Sequence, residues 1–332
     1  MTAATMGASG SAVRLTHPER VLWPAAAGLP GPFTKHDLSI YLDAVAPWLL
    51  MHIGGRPLVL TRYPQGITGP SFYQKHLPTG TPSWLASFSD CPATDRPAVG
   101  RAVNYAVITD RRGLAWLAQQ AAIEFHPWSA TAAAPERPDR AIIDLDPAPP
   151  ATFADACAVA RTVRELLSLA GLRLWCKTSG ATGVHLCLPI RPAWPHRDIV
   201  AVVRALGLRL SEWLPGRVTL ERAVARRSGR VYVDYLQNAR GQTVCAPYTP
   251  RALPGAPVSM PLPWDELGCG SPPRWHLGNV PERLRNRGDA WADLPTGGWQ
   301  DLRQVVRACA APLPGADGSA GRNGMGGWPT CR

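Results

Sequence analysis

Residues 142–146, Ile-Ile-Asp-Leu-Asp, set two carboxylates two positions apart in an apolar run. On a strand, residues i and i+2 leave the same face, so Asp144 and Asp146 point together. Carboxylates that close repel unless a cation lies between them, and hard oxygen ligands suit Mg²⁺ or Mn²⁺. The plain alternative is a pair of solvent-facing acids at a strand end. A companion, Asp234, lies in a second apolar run, Val-Tyr-Val-Asp-Tyr-Leu at 231–236. Buried, ionised and unpaired, it would cost several kcal/mol, so it needs a cation, strong hydrogen bonds or a neighbouring arginine. A third carboxylate beside the pair would make a two-metal phosphoryl-transfer centre, in which the ions activate an attacking 3′-oxygen and hold a leaving pyrophosphate.

Two further groups of residues fit a nucleotide and a nucleic acid. Residues 177–185, Lys-Thr-Ser-Gly-Ala-Thr-Gly-Val-His, combine glycines, hydroxyls and a histidine between two apolar runs. Backbone amides and the Ser179 hydroxyl can approach a phosphate there, and His185 can donate to a triphosphate oxygen. A turn and a structural histidine would look the same. No GxxxxGK[ST] motif occurs, which excludes a P-loop NTPase at motif level. Towards the N-terminus, Arg20, Lys35, Arg56 and Arg62 supply cations, and Phe72-Tyr73 with Lys75 offers aromatic faces beside a charge. Stacking on an aromatic is worth ~1–3 kcal/mol per base without sequence readout. Either ring could equally be core.

The elements that must position these residues fall in two stretches. In the first, about 13–130, Thr34 caps a helix predicted over 35–46, with Leu38, Tyr41, Leu42 and Val45 as its apolar stripe and Pro47 as its limit. A strand at 57–62, an aromatic loop at 63–75 and a helix at 113–123 follow. In the second stretch, about 138–290, strands are predicted at 141–146, 173–177, 184–190 and 231–236, with helices at 153–170 and 197–214. Gly171 closes the first of these helices. The mixture predicts an α/β or α+β fold with a largely antiparallel sheet. Residues 1–12 and 312–332 are Gly/Ala/Ser-rich and are expected to be disordered tails.

Composition bounds the partners. The 332 residues carry 35 Lys+Arg against 24 Asp+Glu, a net charge of +11, and only three of the bases are lysines. That balance points to a polyanion, nucleic acid or an anionic membrane surface. At 45% hydrophobic residues, wholesale disorder is excluded. No apolar run reaches a membrane span, and residues 1–13 lack the core of a secretory signal. Eight cysteines form no CxxC pair, which disfavours a zinc site or disulfide framework and predicts a cytoplasmic protein.

Taken in order, the motifs resemble the polymerase domain of bacterial ligase D, in the archaeo-eukaryotic primase superfamily. The segments concerned are Arg-Val-Leu-Trp-Pro at 20–24, Thr34-Lys35, Gly-Arg-Pro-Leu at 55–58, Phe-Tyr-Gln-Lys at 72–75 and Glu-Phe-His-Pro-Trp at 124–128. Asp-Leu-Asp-Pro at 144–147, Ser179-Gly180 with Gly183-Val184-His185, Asp-Tyr-Leu-Gln-Asn at 234–238, and Ala-Pro-Tyr at 246–248 with Arg251 complete the set.

The resemblance covers about 13–290 and implies a primase-polymerase fold: an RRM-like catalytic core, 138–295, packed against an N-terminal α/β DNA-binding module, 13–137. It implies template-dependent nucleotidyl transfer that extends primers and fills gaps in non-homologous end joining, with NTP or dNTP and with Mn²⁺ or Mg²⁺. Asp144, Asp146 and Asp234 would be the metal ligands, and His126, Ser179, His185 and Arg251 would hold the triphosphate. Arg20 and Lys35 would receive a 5′-phosphate, while Phe72 and Tyr73 would stack near the templating base. DNA ends or gapped duplex, Ku and a separately encoded ligase would be partners, in the nucleoid and away from membranes.

There are departures. Thr182 stands where the family turn commonly has Lys, and Gln242 replaces a residue that is often basic. Arg20 replaces a frequent Lys. None of the three lysines sits in a KxDG-type motif, so ligation is expected of another polypeptide. A catalytically weak end-binding or synapsis module is the rival expectation. A DxD glycosyltransferase would explain neither Asp234 nor the basic aromatic module.

Overall fold

The computed structural model describes residues 5–6, 13–91, 102–268, 275–294 and 298–310. Most of the two expected tails lies outside the described residues, although Thr5–Met6 pairs antiparallel with Val13–Arg14. Among the described residues, two larger sheets of five and six strands, two small two-stranded pairs and six α-helices give the α+β architecture.

Helix α1 (Lys35–Ile53) begins where the sequence predicts. The Thr34 hydroxyl accepts from Asp37 N at 3.2 Å, and the Asp37 carboxylate accepts from Thr34 N at 2.7 Å. It does not stop at Pro47. That proline has no N–H to offer the carbonyl of Asp43, four residues back. Arg111 Nη1 donates to the Asp43 oxygen at 2.6 Å instead, and the helix continues to Ile53. Leu38, Tyr41, Leu42, Val45, Leu49 and Ile53 form the buried stripe.

The first sheet is built of β1 (Pro57–Arg62), β2 (Phe72–Gln74), β3 (Ser87–Asp90), β4 (Val103–Val107) and β5 (Ala122–Pro127). Strand β1 pairs antiparallel with β2, β4 and β5, and β3 pairs with β4. Helix α2 (Arg111–Gln119) packs on α1 and is displaced from its predicted span. Asp110 caps it by accepting from Gly113 N at 2.8 Å, and Ala121, at φ 48°, turns the chain out into β5.

The second sheet holds β6 (Arg140–Pro147), β7 (Trp175–Thr178), β8 (Val184–Pro189), β9 (Val218–Thr219), β10 (Val231–Asp234) and β11 (Pro261–Leu262) in the order β9-β10-β6-β8-β7-β11. Only the β9–β10 pair is parallel. Alternation along β6 sends Ala141, Ile143 and Leu145 into the main core, which α3 (Phe153–Leu169) and α4 (His196–Trp213) help build. Ile142 faces the other way and joins Trp175, Cys187, Trp291 and Leu294 in a smaller apolar cluster. Asp144 and Asp146 share that second face. Helix α5 (Val280–Arg287) contacts α1, and α6 (Leu302–Ala310) packs on α3 and α4. Among the described residues, no helix is long and apolar enough to cross a membrane.

Candidate active site

Register creates the site. Asp144 on β6 lies opposite Asp234 on β10 and opposite His185 on β8, and His185 lies opposite Lys177 on β7. Directly paired residues project from the same face. Asp234, Asp144, His185 and Lys177 therefore form one row across four strands, with Asp146 one step along β6, opposite Tyr232.

Asp144 is buried, and its Oδ1 has no hydrogen bond, although His185 Nε2 stands 3.3 Å away. Burial raises its pKa well above the ordinary carboxylate value, and the charges of Asp146 and Asp234 add to the shift. Asp146 is raised by burial and by Asp234. Asp234 is fastened at the strand end, where the sequence predicted two more strand residues. Its Oδ1 accepts from Leu236 N at 3.1 Å and from the Tyr232 hydroxyl at 3.3 Å, and its Oδ2 accepts from Gln237 Nε2 at 2.8 Å. These bonds turn the chain into a short 3₁₀ segment, Tyr235–Asn238.

Among the described residues, no group of three or more His, Cys, Asp or Glu side chains is placed to hold a metal ion. The donor set is of the open kind: hard oxygens, like charges side by side, and a buried carboxylate oxygen without a hydrogen bond. Mg²⁺ is commonly held by one or two carboxylates completed by substrate phosphates. The residues present fit such an ion.

The turn after β7 is closed on itself. Ser179 Oγ accepts from Ala181 N at 3.1 Å and Gly183 N at 2.9 Å, which leaves the hydroxyl hydrogen to donate. A Cβ at Gly183 would stand 2.7 Å from Leu145 O and 2.9 Å from Asp146 Oδ1, and one at Gly180, φ 75°, would stand 2.6 Å from Arg251 Cγ. Glycine is required at both positions by close approach. Arg251 reaches in from the other side: Nη1 donates to Ser179 O at 2.5 Å and Nε to Glu124 Oε1 at 2.9 Å. Its own carbonyl accepts from Trp23 Nε1 at 2.9 Å. His126, on β5, is 3.3 Å from Glu124 Oε2. Glu124 thus joins His126 to Arg251, and Arg251 in turn holds Ser179, while His185 faces Asp144.

A second cluster carries the opposite charge. Lys35 is buried, with Nζ donating to Thr16 O at 2.9 Å and Gln119 Oε1 at 3.0 Å. Burial, followed by the charges of Arg20 and Arg62, lowers its pKa to about 8. Arg20 is exposed and donates to Pro64 O at 2.6 Å. Arg62 donates from Nε to Gln120 O at 2.8 Å and lies over the Phe72 ring, 4.8 Å from its centroid. Phe72 and Tyr73 are exposed, at 44% and 55%, so neither is core. Lys75 Nζ stands 5.9 Å from the Tyr73 ring centroid.

Arg56 is the correction. Expected at a nucleic-acid surface, it is buried, pairs with Asp139 at 2.5 Å, and donates to the carbonyls of Ser129 and Trp128 at 3.0 and 3.4 Å. Its charge is spent inside the fold. Glu124, Lys177 and Gln237 lie in segments singled out from the sequence but carry no role there, and Arg227 is not singled out at all. Arg227 lies 3.6 Å over the Tyr232 ring, beside an open pocket of about 370 Å³ that Asp234 and Gln242 also line. Its charge partly offsets the upward shift of Asp146. An Arg in an irregular, arginine-rich segment carries no periodic signal. Glu124, two residues before His126, could have been found by the same i, i+2 rule that singled out Asp144 and Asp146.

The sequence family described as "LigD, primase-polymerase domain" matches residues 34–291. The chain belongs to the LigD primase-polymerase domain family. It is similar to the multifunctional non-homologous end joining protein LigD of Mycolicibacterium smegmatis, 32% identical over 284 residues, covering 85% of this chain and 36% of that protein. It is also similar to LigD of Pseudomonas aeruginosa, 32% identical over 296 residues, covering 87% of this chain and 34% of that protein. The LigD-type chain therefore spans about a third of the length of these relatives. Among solved structures, it is similar to the polymerase domain of Mycobacterium tuberculosis ligase D in complex with DNA. The TM-score is 0.76 at 32% identity, over 86% of this chain and 98% of that one.

Proposed function

We propose that this LigD-type domain is a template-dependent nucleotidyltransferase that adds NTP or dNTP to a primer 3′-end at gaps and broken ends during non-homologous end joining. The observation that carries the proposal is the juxtaposition of the Asp144–Asp234 register pair, with Asp146 beside it, and the turn on which Ser179 and Arg251 meet. Divalent ions, Mg²⁺ or Mn²⁺ held by Asp144, Asp146 and Asp234, would lower the pKa of the primer 3′-hydroxyl and offset the charge gathering on the α-phosphate and departing pyrophosphate.

The chain's own residues do the rest. Ser179 donates its hydroxyl hydrogen to a phosphate oxygen, and the Arg251 fork binds the triphosphate by charge-assisted bonds. His126 contacts the incoming nucleotide from the first sheet, and His185 faces Asp144 beside it. Arg20, Lys35 and Arg62 receive the downstream 5′-phosphate, and Phe72 and Tyr73 stack on the template strand. Ku and a ligase in trans fit as partners of this activity.

Incorporation of labelled NTP and dNTP on a gapped duplex with a 5′-phosphate, with Mn²⁺ and with Mg²⁺, tests the proposal. Extension by the wild type is expected. Tight duplex binding with no incorporation under either metal would overturn catalysis in favour of an end-binding or synapsis module.

A further inference from the structure

Glu124 and His126 leave β5 from the same face. The Glu124 carboxylate is nearly enclosed and serves two masters. Its Oε2 lies 3.3 Å from His126 Nε2, while Oε1 accepts from Arg251 Nε at 2.9 Å and from Ala252 N at 3.1 Å. Burial alone would raise its pKa, but the bonds from His126 and Arg251 outweigh burial and bring it to about 2. Glu124 is thus an ionised acceptor on both oxygens.

An acceptor-only neighbour dictates what faces it. His126 Nε2 must carry the ring hydrogen, and the Thr61 hydroxyl, 3.5 Å from that nitrogen, leaves the assignment unchanged. Arg251 has Nε on Glu124 and Nη1 on Ser179 O, so its Nη2 group is unspent among the described residues. We propose that Glu124 is a positioning residue for the nucleotide pocket. It locks His126 in the Nε2–H tautomer and holds the Arg251 fork across the two sheets, leaving His126 Nδ1 to accept from a hydroxyl or N–H of the nucleotide and Arg251 Nη2 to donate to a phosphate oxygen. The proposal rests on the nucleotide-binding reading above for its consequence, though not for its geometry.

The first arm of the test is long-range ¹H–¹⁵N spectroscopy of the full chain, labelled on histidine, at a pH where imidazole is neutral. His126 is expected as the Nε2–H tautomer in the wild type. In Glu124→Gln that tautomer is lost, because the amide nitrogen donates towards the ring. An Nδ1–H His126 in the wild type overturns the proposal, whatever the activity.

The second arm is equilibrium binding of a fluorescent ATP analogue with Mn²⁺. Glu124→Gln is expected to weaken it by about tenfold, the size of a lost charge-assisted contact, and to raise KM more than it lowers kcat. Affinity for a 5′-phosphorylated duplex should change by less than about twofold. On a background of His126→Ala with Arg251→Ala, the substitution should have no further effect on nucleotide affinity. Full additivity, or equal loss of nucleotide and duplex binding, would mark Glu124 as a structural staple and overturn the proposal. If Gln at 124 prevents folding, Glu124→Asp, which keeps the charge and loses reach, is put through the same cycle and the same spectra. A wild type that binds no nucleotide defeats the functional reading, while the tautomer still decides the clamp.

Discussion

Asp144 and Lys35 are buried to the same extent, each 6% exposed, and each sits among charges of its own sign. They are held in place differently. Asp144 is fixed by strand register: its neighbours Asp234 and His185 come from backbone pairing on either side of β6. Lys35 is fixed by its own hydrogen bonds to Thr16 O and Gln119 Oε1, and Arg20 and Arg62 by bonds to the carbonyls of Pro64 and Gln120. The carboxylate site should therefore survive removal of its charges with its geometry intact. The cationic site should come apart when one donor is removed, because the carbonyls it satisfied are left open.

The largest expected effect is on chemistry. Asp144→Ala with Asp146→Ala should lower single-nucleotide incorporation by on the order of 10³-fold or more, with duplex affinity within about twofold of wild type. Retained incorporation would break the assignment of the acidic site. Next, Arg56→Ala should lower stability by about 1–3 kcal/mol in denaturant titration, because it leaves the half-buried Asp139 with Arg140 alone, 3.8 Å away, and takes the donor from the Trp128 and Ser129 carbonyls. Discrimination between 5′-phosphate and 5′-hydroxyl ends should stay unchanged, which would separate this arginine from the surface cations.

Lys35→Ala should reduce that discrimination by about tenfold. In the wild type the discrimination should fade as pH rises through about 8, because burial and the two arginines make Lys35 release its proton there. A pH-independent preference would exclude Lys35 as the phosphate contact. The smallest effect is a gain. Asp144 and Asp146 have raised pKa values in the fold, so the metal-free folded state binds more protons than the unfolded chain above the ordinary value of 3.8. Stability is fully present below that value and is lost as pH rises through the folded pKa. Asp144→Asn should accordingly raise Tm near neutral pH by a few degrees without added metal. A fall in Tm would show that the repulsion is already relieved.

The difference between the two sites also explains what the sequence could show. Spacing of two on a strand was enough to pair Asp144 with Asp146, and a capping pattern was enough to start α1. Asp234 could be suspected from its apolar run, but its place opposite Asp144 depends on register, which no local pattern carries. Pro47 read as a helix end because the donor that replaces its N–H, Arg111, lies 64 residues further along the chain. Arg56 read as a surface cation because a partner as distant in sequence as Asp139 leaves no mark in the sequence around it. Glu124 could be paired with His126 by the same spacing of two, but its bond to Arg251 exists only once β5 meets the loop that carries Arg251.

The glycine turn has a consequence for how such a site can change over generations. At positions 180 and 183 any side chain collides with Arg251 or with β6, and Ser179 is committed to the turn's own amides. Only Ala181, half-buried, and Thr182, exposed, are open to replacement. A cationic contact at 182 can therefore be acquired or discarded by a single substitution that the backbone does not register. The pocket's affinity can drift there while its architecture stays the same.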